Sequence, residues 1–212
     1  MFKNRIEAGI RLAEALKDYQ NKDVIVLTIP RGGVVVAYEV AKRLNAPLDL
    51  IIPRKLGAPM NPELAIGAVS QDGTIVLNED LVSMLEIPRD YLDAEARAQI
   101  REIERRMSKY RGEGKPLPEV MGRIVILIDD GLATGATVRA ALLTLKKQKP
   151  KELIIATPVG PADTIEMLSS MADKVVCLEI PPFFHAIGEF YEDFRQVEDE
   201  EVIEILQKSR QK

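Results

Sequence analysis

Residues 125–137 constrain the fold more than any other stretch, because an acidic pair and a Gly/Thr-rich turn directly follow an apolar run. The four apolar residues 125–128 are typical of a buried parallel strand with both faces covered. Asp129 and Asp130 follow where that strand would end, and the apolar spacing predicts a helix over residues 138–148. This order of strand, acidic pair, turn and helix indicates an α/β fold with a site at the strand end.

The turn after the acidic pair has the composition of a phosphate site. A helix start presents unpaired N–H groups and the positive end of its dipole, both of which favour a phosphate. Gly135 lets the backbone approach closely, and the hydroxyls of Thr134 and Thr137 can add donors. Adjacent carboxylates suit ribose hydroxyls or Mg²⁺, which prefers oxygen ligands. The stretch therefore predicts a pocket for a 5-phosphorylated ribose.

A second unit of strand, glycine turn and helix lies near the N-terminus. Residues 24–29 are a short β-branched run that predicts the first buried strand, and residues 34–44 predict a helix. Between them, the amides of Gly32 and Gly33 can point at an anion, and Arg31 adds a positive charge. A tight turn with a solvated arginine is the alternative interpretation.

The remaining elements continue the alternation of strands and helices. Helices are predicted at residues 4–18, 79–85, 89–111, 162–171 and 200–206, and strands at residues 48–52, 65–69, 74–77, 152–157 and 174–180. This order implies a parallel, doubly wound sheet with right-handed crossovers. Ligands of such sheets lie beyond the carboxyl ends of the strands, near a topological switch.

Three local patterns add detail to this outline. In the first helix, Asn4 is the expected N-cap, and the buried face is expected to hold Ile6, Ile10, Ala13 and Leu16. Residues 65–69 and 74–77 are expected to form a hairpin around Asp72-Gly73. The helix over 89–111 has a narrow apolar stripe and interleaved charges, which suit a packing or dimer-contact helix. Residues 112–118 are predicted to be a loop.

The stretch 125–137 resembles the 5-phosphoribosyl-1-pyrophosphate (PRPP) binding signature of type I phosphoribosyltransferases. That signature is an apolar strand, two acidic residues, three mostly small or apolar residues and Thr-Gly-x-Thr, and all of these places are filled here. Most of the chain is similar to the family in layout. Residues 30–33 lie where the family has its pyrophosphate loop, which often holds a cis peptide bond. A Rossmann-type strand, loop and helix with a solvated acidic pair is the alternative.

The resemblance implies transfer of a 5-phosphoribosyl group from Mg-PRPP to a nitrogenous acceptor, with release of pyrophosphate. It implies catalytic roles for Asp129, Asp130, Arg31 and Lys55, and Mg²⁺ binding by the two aspartates. The residues implied to bind PRPP are Arg31, Gly32, Gly33, Arg54, Lys55, Asp129, Asp130, Gly131, Ala133, Thr134, Gly135, Ala136 and Thr137. The aspartates would hold the ribose, residues 134–137 the 5-phosphate, and the basic side chains the leaving pyrophosphate.

Residues 53–72 are long for a connection, and connections of this length are usually functional. In the family, a flexible β-hairpin loop at this place closes over PRPP. Arg54 and Lys55 would then approach the diphosphate, and Glu63 could hold them or a metal. A hairpin with exposed charges and no such role is the alternative.

Residues 181–195 contain five of the ten aromatic residues of the chain. Together they could form the hood of the family, a variable cap that binds a planar base against Phe183, Phe184 and Tyr191. An aromatic cluster that covers the sheet edge is the alternative. Ala133 bears on the acceptor, because enzymes for 6-oxopurines usually carry Asp at that place. A role in hypoxanthine or guanine salvage is therefore disfavoured.

A length of 212 residues suits one α/β domain, and the resemblance implies a single phosphoribosyltransferase-like domain spanning residues 1–212. The net charge of −4 provides no electrostatic case for nucleic-acid binding. The single cysteine excludes an internal disulfide and fits the cytoplasm. No apolar run approaches the length of a membrane span, and the N-terminus lacks the apolar stretch of a signal peptide. The expected partners are small-molecule substrates, with neither nucleic acid nor membrane, and a second copy in a homodimer.

Three other functions compete with phosphoribosyl transfer. A regulator that senses PRPP or a nucleotide on the same fold, without turnover, would need a DNA-binding module or a basic face. A receiver-type phosphoacceptor would carry its acidic pair after the first strand and would have no use for Thr-Gly-x-Thr. A P-loop nucleotidase would need Gly-Lys-Ser/Thr, which follows neither glycine turn.

Overall fold

The computed structural model describes residues 1–70, 72–112 and 119–210, apart from the side chain of Glu63. The strands are β1 (Val24–Thr28), β2 (Leu48–Leu50), β3 (Arg54–Ala58), β4 (Asn61–Val69), β5 (Ile75–Leu77), β6 (Ile124–Ile128), β7 (Glu152–Val159) and β8 (Lys174–Glu179). The helices are α1 (Arg5–Ala15), α2 (Gly33–Leu44), α3 (Glu79–Met84), α4 (Arg89–Arg111), α5 (Ala136–Lys147), α6 (Ala162–Ser169) and α7 (Asp199–Arg210). Short 3₁₀ turns occupy Lys17–Tyr19 and Ile187–Phe190.

The central sheet is parallel and has the strand order β2-β1-β6-β7-β8. Successive side chains of a strand point to opposite faces, so both faces of the buried strands β1 and β6 need cover. Val24 and Val26 pack in the core beneath α1, α2 and α7, whereas Ile25 and Leu27 pack in the core beneath α5 and α6. The predicted doubly wound sheet is confirmed.

The topological switch lies between β1 and β6. From β1 the chain passes through α2 to β2 on one side, and from β6 it passes through α5 to β7 on the other. The segments that follow β1 and β6 therefore leave the carboxyl edge side by side. This edge is where ligands of doubly wound sheets bind.

A second, antiparallel sheet is formed by β3, β4 and β5. The predicted hairpin is confirmed, because Val69 pairs with Ile75 and Gly67 with Leu77. Residues 53–72 contain the β-hairpin that the family resemblance implied at this place, because β3 and β4 pair antiparallel there. Leu56 and Ile66 are fully buried there, so the segment carries an apolar face of its own that packs on the core.

Helix α1 corrects one prediction. Asn4 is the N-cap as expected, because its side chain accepts a hydrogen bond from the Glu7 amide at 3.0 Å. However, Ile6 and Ile10 are 50% and 55% exposed. The buried face of α1 is Arg5, Ala8, Gly9, Leu12 and Ala13. The prediction is therefore confirmed for Ala13 and for Leu16, which is fully buried just after the helix, and wrong for Ile6 and Ile10. The physical reason is close packing on α2: a Cβ at Gly9 would lie 2.7 Å from the Val36 carbonyl oxygen.

Helix α4 has the predicted bounds and packs its apolar stripe against β3, β4 and α7. The hydroxyl of Tyr91 donates to the Gly57 carbonyl at 2.8 Å, which anchors β3 to the helix. Of the loop predicted after α4, residues 113–118 lie outside the described residues. Among the helices that the structure describes, none combines the length and apolarity of a membrane span.

The predicted hood segment pairs with the beginning of the chain. The Phe2 amide donates to the Phe190 carbonyl at 2.8 Å, and the Glu192 amide donates to the Phe2 carbonyl at 2.8 Å. This backbone pairing joins the N-terminus, which enters α1, to the segment that precedes α7. The N-terminal segment and the hood segment thus meet close to the carboxyl edge of the sheet, where Tyr191 contacts Asp130.

Candidate active site

Two loops form the candidate site, one after β1 and one after β6. The two strands pair in register, with Thr28 opposite Ile128, and the Thr28 hydroxyl donates to the Ile128 carbonyl at 2.9 Å. The structure therefore brings residues 30–33 and 129–137 together, as expected of neighbouring parallel strands. The peptide bond between Pro30 and Arg31 is cis. It lies in the loop where the family resemblance implied such a bond.

Gly32 and Gly33 lie directly against the acidic pair. A Cβ at Gly32 would overlap the Asp130 carboxylate, and a Cβ at Gly33 would lie 3.1 Å from Asp129 Oδ1. Such distances are shorter than ordinary carbon–oxygen contacts, so the loop needs glycine at both places. The two glycines and the two aspartates are therefore one packed unit.

Asp129 is the more accessible carboxylate of the pair. It is half-buried, and its Oδ1 accepts a hydrogen bond from the Asp130 amide at 3.0 Å. Burial, and then the negative charge of Asp130, raise the pKa of Asp129 well above its ordinary value. A cation or several hydroxyl donors would favour the ionised form of such a group. Asp129 is thus suited to contact ribose hydroxyls or a metal ion.

Asp130 is buried and already paired. Its Oδ2 accepts a hydrogen bond from Arg5 Nε at 2.6 Å, in an ion pair whose side chains are 12% and 9% exposed. Its backbone carbonyl accepts from the Tyr191 hydroxyl at 2.6 Å. The sequence predictions missed Arg5, although a signal exists: Arg5 precedes Ala8 and Leu12 on one helical face, and a buried arginine needs a partner.

Hydrogen bonds fix the turn before α5 to the rest of the fold, while several of its residues remain exposed to solvent. The Leu132 amide donates to the Val159 carbonyl at 2.8 Å, and the Thr164 hydroxyl donates to the Ala133 carbonyl at 2.8 Å. Gly135 has φ of 68°, a left-handed conformation that glycine adopts at little cost. The exposed residues of the turn are Ala133, Thr134, Ala136 and Thr137. An exposed helix N-terminus of this kind can bind an anion, and the assignment of a phosphate to it stays a prediction.

Gly131 connects this turn to the hood. A Cβ at Gly131 would overlap the side chain of Ile187, so the hood packs directly on the turn through this side chain. The close approach explains why glycine occupies this place. It also puts residues 187–191 next to the acidic pair.

Arg31 is partly exposed and faces a carboxylate that the sequence predictions did not include. Its guanidinium lies 3.7 Å from Asp199 at the start of α7. Asp199 also accepts hydrogen bonds from Lys109 and, at 2.5 Å, from the Tyr110 hydroxyl. Arg31 is thus linked to α4 and α7 through Asp199. Nothing in the local sequence marks this contact, because the three partners come from distant segments.

The structure places the two predicted basic residues of β3, Arg54 and Lys55, in different surroundings. Arg54 Nε donates to the Gln99 side chain of α4 at 2.8 Å, so the described contact of Arg54 is with α4 rather than with the acidic pair. Lys55 is exposed. Their roles toward the diphosphate stay predictions. The side chain of Glu63, predicted to hold them or a metal, lies outside the described residues.

The aromatic hood is mainly a packed cluster. Tyr191 is 5% exposed and its ring lies 4.9 Å from that of Phe194, while Phe184 stacks on Phe190 with ring centroids 5.5 Å apart. Phe183, by contrast, is 81% exposed. The predicted slot of Phe183, Phe184 and Tyr191 is therefore wrong for Tyr191, because burial and its hydroxyl bond keep that ring behind the surface.

The acid pair fits a metal that arrives with its substrate. Among the residues that the structure describes, no three His, Cys, Asp or Glu side chains gather so that they could hold a metal ion. Mg²⁺ commonly uses one or two carboxylates together with substrate phosphates. Asp129 could supply such a carboxylate, whereas Asp130 is engaged by Arg5. The donor set suits Mg²⁺ bound to a diphosphate better than a resident ion.

Known proteins and solved structures are similar to this chain along nearly its whole length. The chain is 43% identical over 209 residues to "Putative phosphoribosyl transferase Rv0571c" of Mycobacterium tuberculosis, covering 99% of this chain and 47% of that protein. The chain thus spans about half the length of the curated relatives it matches. The crystal structure of TT1426 from Thermus thermophilus is 42% identical, has a TM-score of 0.89 and matches 98% of both chains.

A more distant structure, the AQ2163 protein from Aquifex aeolicus, is 16% identical with a TM-score of 0.51, over 87% of this chain and 76% of that one. At that identity the likeness concerns the fold alone. The model of the phosphoribosyl transferase domain matches residues 3–195, which include α1, both site loops and the hood. The chain belongs to the phosphoribosyl transferase domain family.

Proposed function

We propose that this protein transfers a 5-phosphoribosyl group from Mg-PRPP to a nitrogenous acceptor and releases pyrophosphate. The observation that carries the proposal is the contact of the Gly32-Gly33 loop with Asp129 and Asp130, beside an exposed helix N-terminus at residues 134–137. Those are the three parts that a phosphorylated ribose bearing a diphosphate needs: anion-binding amides at either end and carboxylates between them.

In the proposed reaction the bond between the anomeric carbon and the diphosphate oxygen breaks, and the diphosphate leaves with the electron pair. The acceptor nitrogen supplies a pair to the same carbon and then loses its proton to solvent. Positive charge develops on the ribose and negative charge on the leaving group. Asp129 favours the former, while Arg31 and the amides of Gly32 and Gly33 favour the latter.

The 5-phosphate is assigned to the exposed turn before α5. The first amides of a helix lack partners within the helix, and the hydroxyls of Thr134 and Thr137 are exposed beside them. Holding this phosphate and the ribose in one orientation removes much of the entropic cost of the transfer. Mg²⁺ would neutralise charge on the diphosphate, with Asp129 as the protein carboxylate placed to hold it and Asp130 behind it.

The first experiment is a titration of the protein with Mg-PRPP by calorimetry, followed by measurement of pyrophosphate release with a panel of planar nitrogen bases. We expect binding without acceptor and release with at least one base. Binding of PRPP with no release from any base would favour the regulator that binds PRPP without turnover. Failure of PRPP to bind in magnesium would contradict both functions.

The second experiment tests the ribose site through Asp129→Asn, alone and combined with Asp130→Asn. We expect Mg-PRPP affinity to fall about tenfold or more, because a hydrogen bond to a charged group contributes ~1.5–3 kcal/mol. The matched control is Glu189→Gln with Glu192→Gln, which removes two exposed carboxylates of the hood. Unchanged affinity in the aspartate variants would show that the ribose binds elsewhere.

Several parts of this function stay predictions. The acceptor is a planar base or a similar nitrogen compound, and Ala133 disfavours the 6-oxopurines. We propose that residues 1–212 act as one domain, since residues 2–3 at one end pair with residues 190–193 before the last helix. The cytoplasmic location, the role in nucleotide metabolism and the homodimer that the resemblance and the charged α4 suggested are likewise predictions.

A further inference from the structure

Arg5 makes a set of contacts that the function proposed above does not use. Its Nε donates to Asp130 Oδ2 at 2.6 Å, and its Nη1 donates to the Arg195 carbonyl at 2.8 Å. Its guanidinium carbon lies 3.8 Å from the centre of the Phe194 ring. With 8% of its surface exposed, Arg5 joins α1, the acidic pair and the hood in a single buried contact.

The ion pair decides how much negative charge the acidic pair presents. Two neighbouring carboxylates without a cation would repel an anionic ligand and each other. Arg5 offsets the charge of Asp130, so the pair presents one uncompensated carboxylate, that of Asp129. The same contact holds the Asp130 side chain against Gly32, where it supports the loop assigned to the pyrophosphate.

A positively charged partner is also needed for Asp130 itself. A buried carboxylate that loses its partner is left uncompensated in a site of low polarity, where charges interact more strongly than in water. Its freed carboxylate would lie beside the Gly32 amide loop and would oppose an anion there. Arg11, further along α1, offers a contrast: it pairs with Glu179 at 3.5 Å and lies over Phe2, and its described contacts include neither aspartate.

We propose that Arg5 is a positioning residue for PRPP binding, which holds Asp130 against Gly32 and leaves Asp129 as the one carboxylate of the site without a cationic partner. This inference rests on the proposed function. It adds α1 to the elements that form the site, and it explains the hydrogen bond from the hood residue Tyr191 to the backbone of Asp130 as part of the same support.

The test compares Arg5→Gln, Arg5→Lys and the control Arg11→Gln by calorimetric titration with Mg-PRPP and by thermal unfolding. Lysine keeps the positive charge beside Asp130 but loses the planar contact with Phe194 and the second hydrogen bond. We expect Arg5→Gln to weaken Mg-PRPP binding about tenfold and Arg5→Lys by less than about threefold, because PRPP affinity depends on the positive charge beside Asp130. Both variants should be less stable than the unchanged protein, because both lose the packing of the arginine side chain against Phe194. Arg11→Gln should bind like the unchanged protein.

A double variant, Arg5→Gln with Asp130→Asn, covers the case in which Arg5→Gln does not fold. It removes both charges of the buried pair and is compared with Asp130→Asn alone. Because Arg5 acts through the charge of Asp130, adding Arg5→Gln to Asp130→Asn should change the affinity for Mg-PRPP by less than about threefold. A folded Arg5→Gln protein with unchanged affinity overturns the inference and leaves the proposed function standing. Equal losses of Mg-PRPP affinity in Arg5→Gln and Arg5→Lys overturn it too. So does a double variant that binds Mg-PRPP more than about threefold more weakly than Asp130→Asn alone. Absence of Mg-PRPP binding by the unchanged protein overturns the proposed function and this inference together.

Discussion

The guanidinium of Arg31 lies 3.7 Å from the carboxylate of Asp199, and this loose ion pair joins the glycine loop after β1 to the first residue of α7. Asp199 is at the same time bonded to Lys109 and Tyr110 at the end of α4. A carboxylate therefore neutralises the cation that we assign to the leaving pyrophosphate. An anion bound at Arg31 would have to compete with it.

Asp199→Asn should strengthen pyrophosphate binding. Asparagine has nearly the shape of aspartate and can still accept the Tyr110 hydrogen bond, but it no longer offsets the charge of Arg31. We expect the dissociation constant of pyrophosphate, measured by calorimetry at low salt, to fall about two- to fivefold, and the difference to shrink as salt is raised. Glu200→Gln removes the same charge from the next, exposed position and should have a smaller effect. Equal effects of the two variants would contradict a specific role of the ion pair.

The stability contribution of Asp199 should depend on pH. Hydrogen bonds from Lys109 first, and from Tyr110 next, lower the pKa of Asp199. A carboxyl group with a lower pKa in the folded chain stabilises it above the unfolded-state pKa and loses this contribution as pH falls through the folded-state pKa. We expect Asp199→Asn to reduce the free energy of unfolding by about 1 kcal/mol at neutral pH. The difference should decline as pH falls below the unfolded-state pKa of aspartate and vanish below the lower folded-state pKa. Urea titrations at several pH values measure this; a difference independent of pH would argue against it.

Gly32→Ala should damage the site more than the fold. Its added Cβ would overlap the Asp130 carboxylate, which Arg5 holds in place, so either the loop or the carboxylate must move. Such overpacking costs ~1–3 kcal/mol, and we expect Mg-PRPP affinity to fall about tenfold or more. The matched control is Gly73→Ala, at φ of 77° with nothing within 4 Å of the added Cβ. Backbone strain there costs ~1–2 kcal/mol, yet PRPP affinity should be retained. Parallel loss of affinity in both variants would assign the effect to stability alone.

Variants of Tyr191 and Phe183 should separate structural support by the hood from binding of the acceptor by the hood. Tyr191→Phe removes the hydroxyl bond to the Asp130 carbonyl in a buried place, and we expect it to lower the free energy of unfolding by about 1 kcal/mol. Phe183→Ala changes a residue that is 81% exposed, and stability should change by less than about 0.5 kcal/mol. If the hood binds the acceptor through its exposed ring, only Phe183→Ala weakens base binding in the presence of pyrophosphate and magnesium. Denaturant unfolding and calorimetry distinguish the two variants.

Much of the fold could be predicted because its signals are local. Buried parallel strands are continuous apolar runs, as at residues 124–128, and the helices between them repeat apolar side chains at helical spacing. Asn4 as the cap of α1 and the hairpin of β4 and β5 follow from local chemistry in the same way. Predictions were weakest where the sequence of one helix allows either of two faces to be the buried one. In α1 the face with Ala8, rather than the face with Ile6, is buried because α2 approaches closely at Gly9.

The sequence by itself determined the alternation of strands and helices, because the periods of 2 and 3.6 residues are visible in neighbouring residues. That alternation also determined the sheet edge at which Gly32, Gly33, Asp129 and Asp130 meet. Only the tertiary structure decided the partners of those residues. Arg5 reaches Asp130, and Asp199 reaches Arg31, across separations in the chain that carry no local pattern. Such pairs depend on how whole elements pack, since a buried charge takes whichever opposite charge the packed elements bring within a few ångströms.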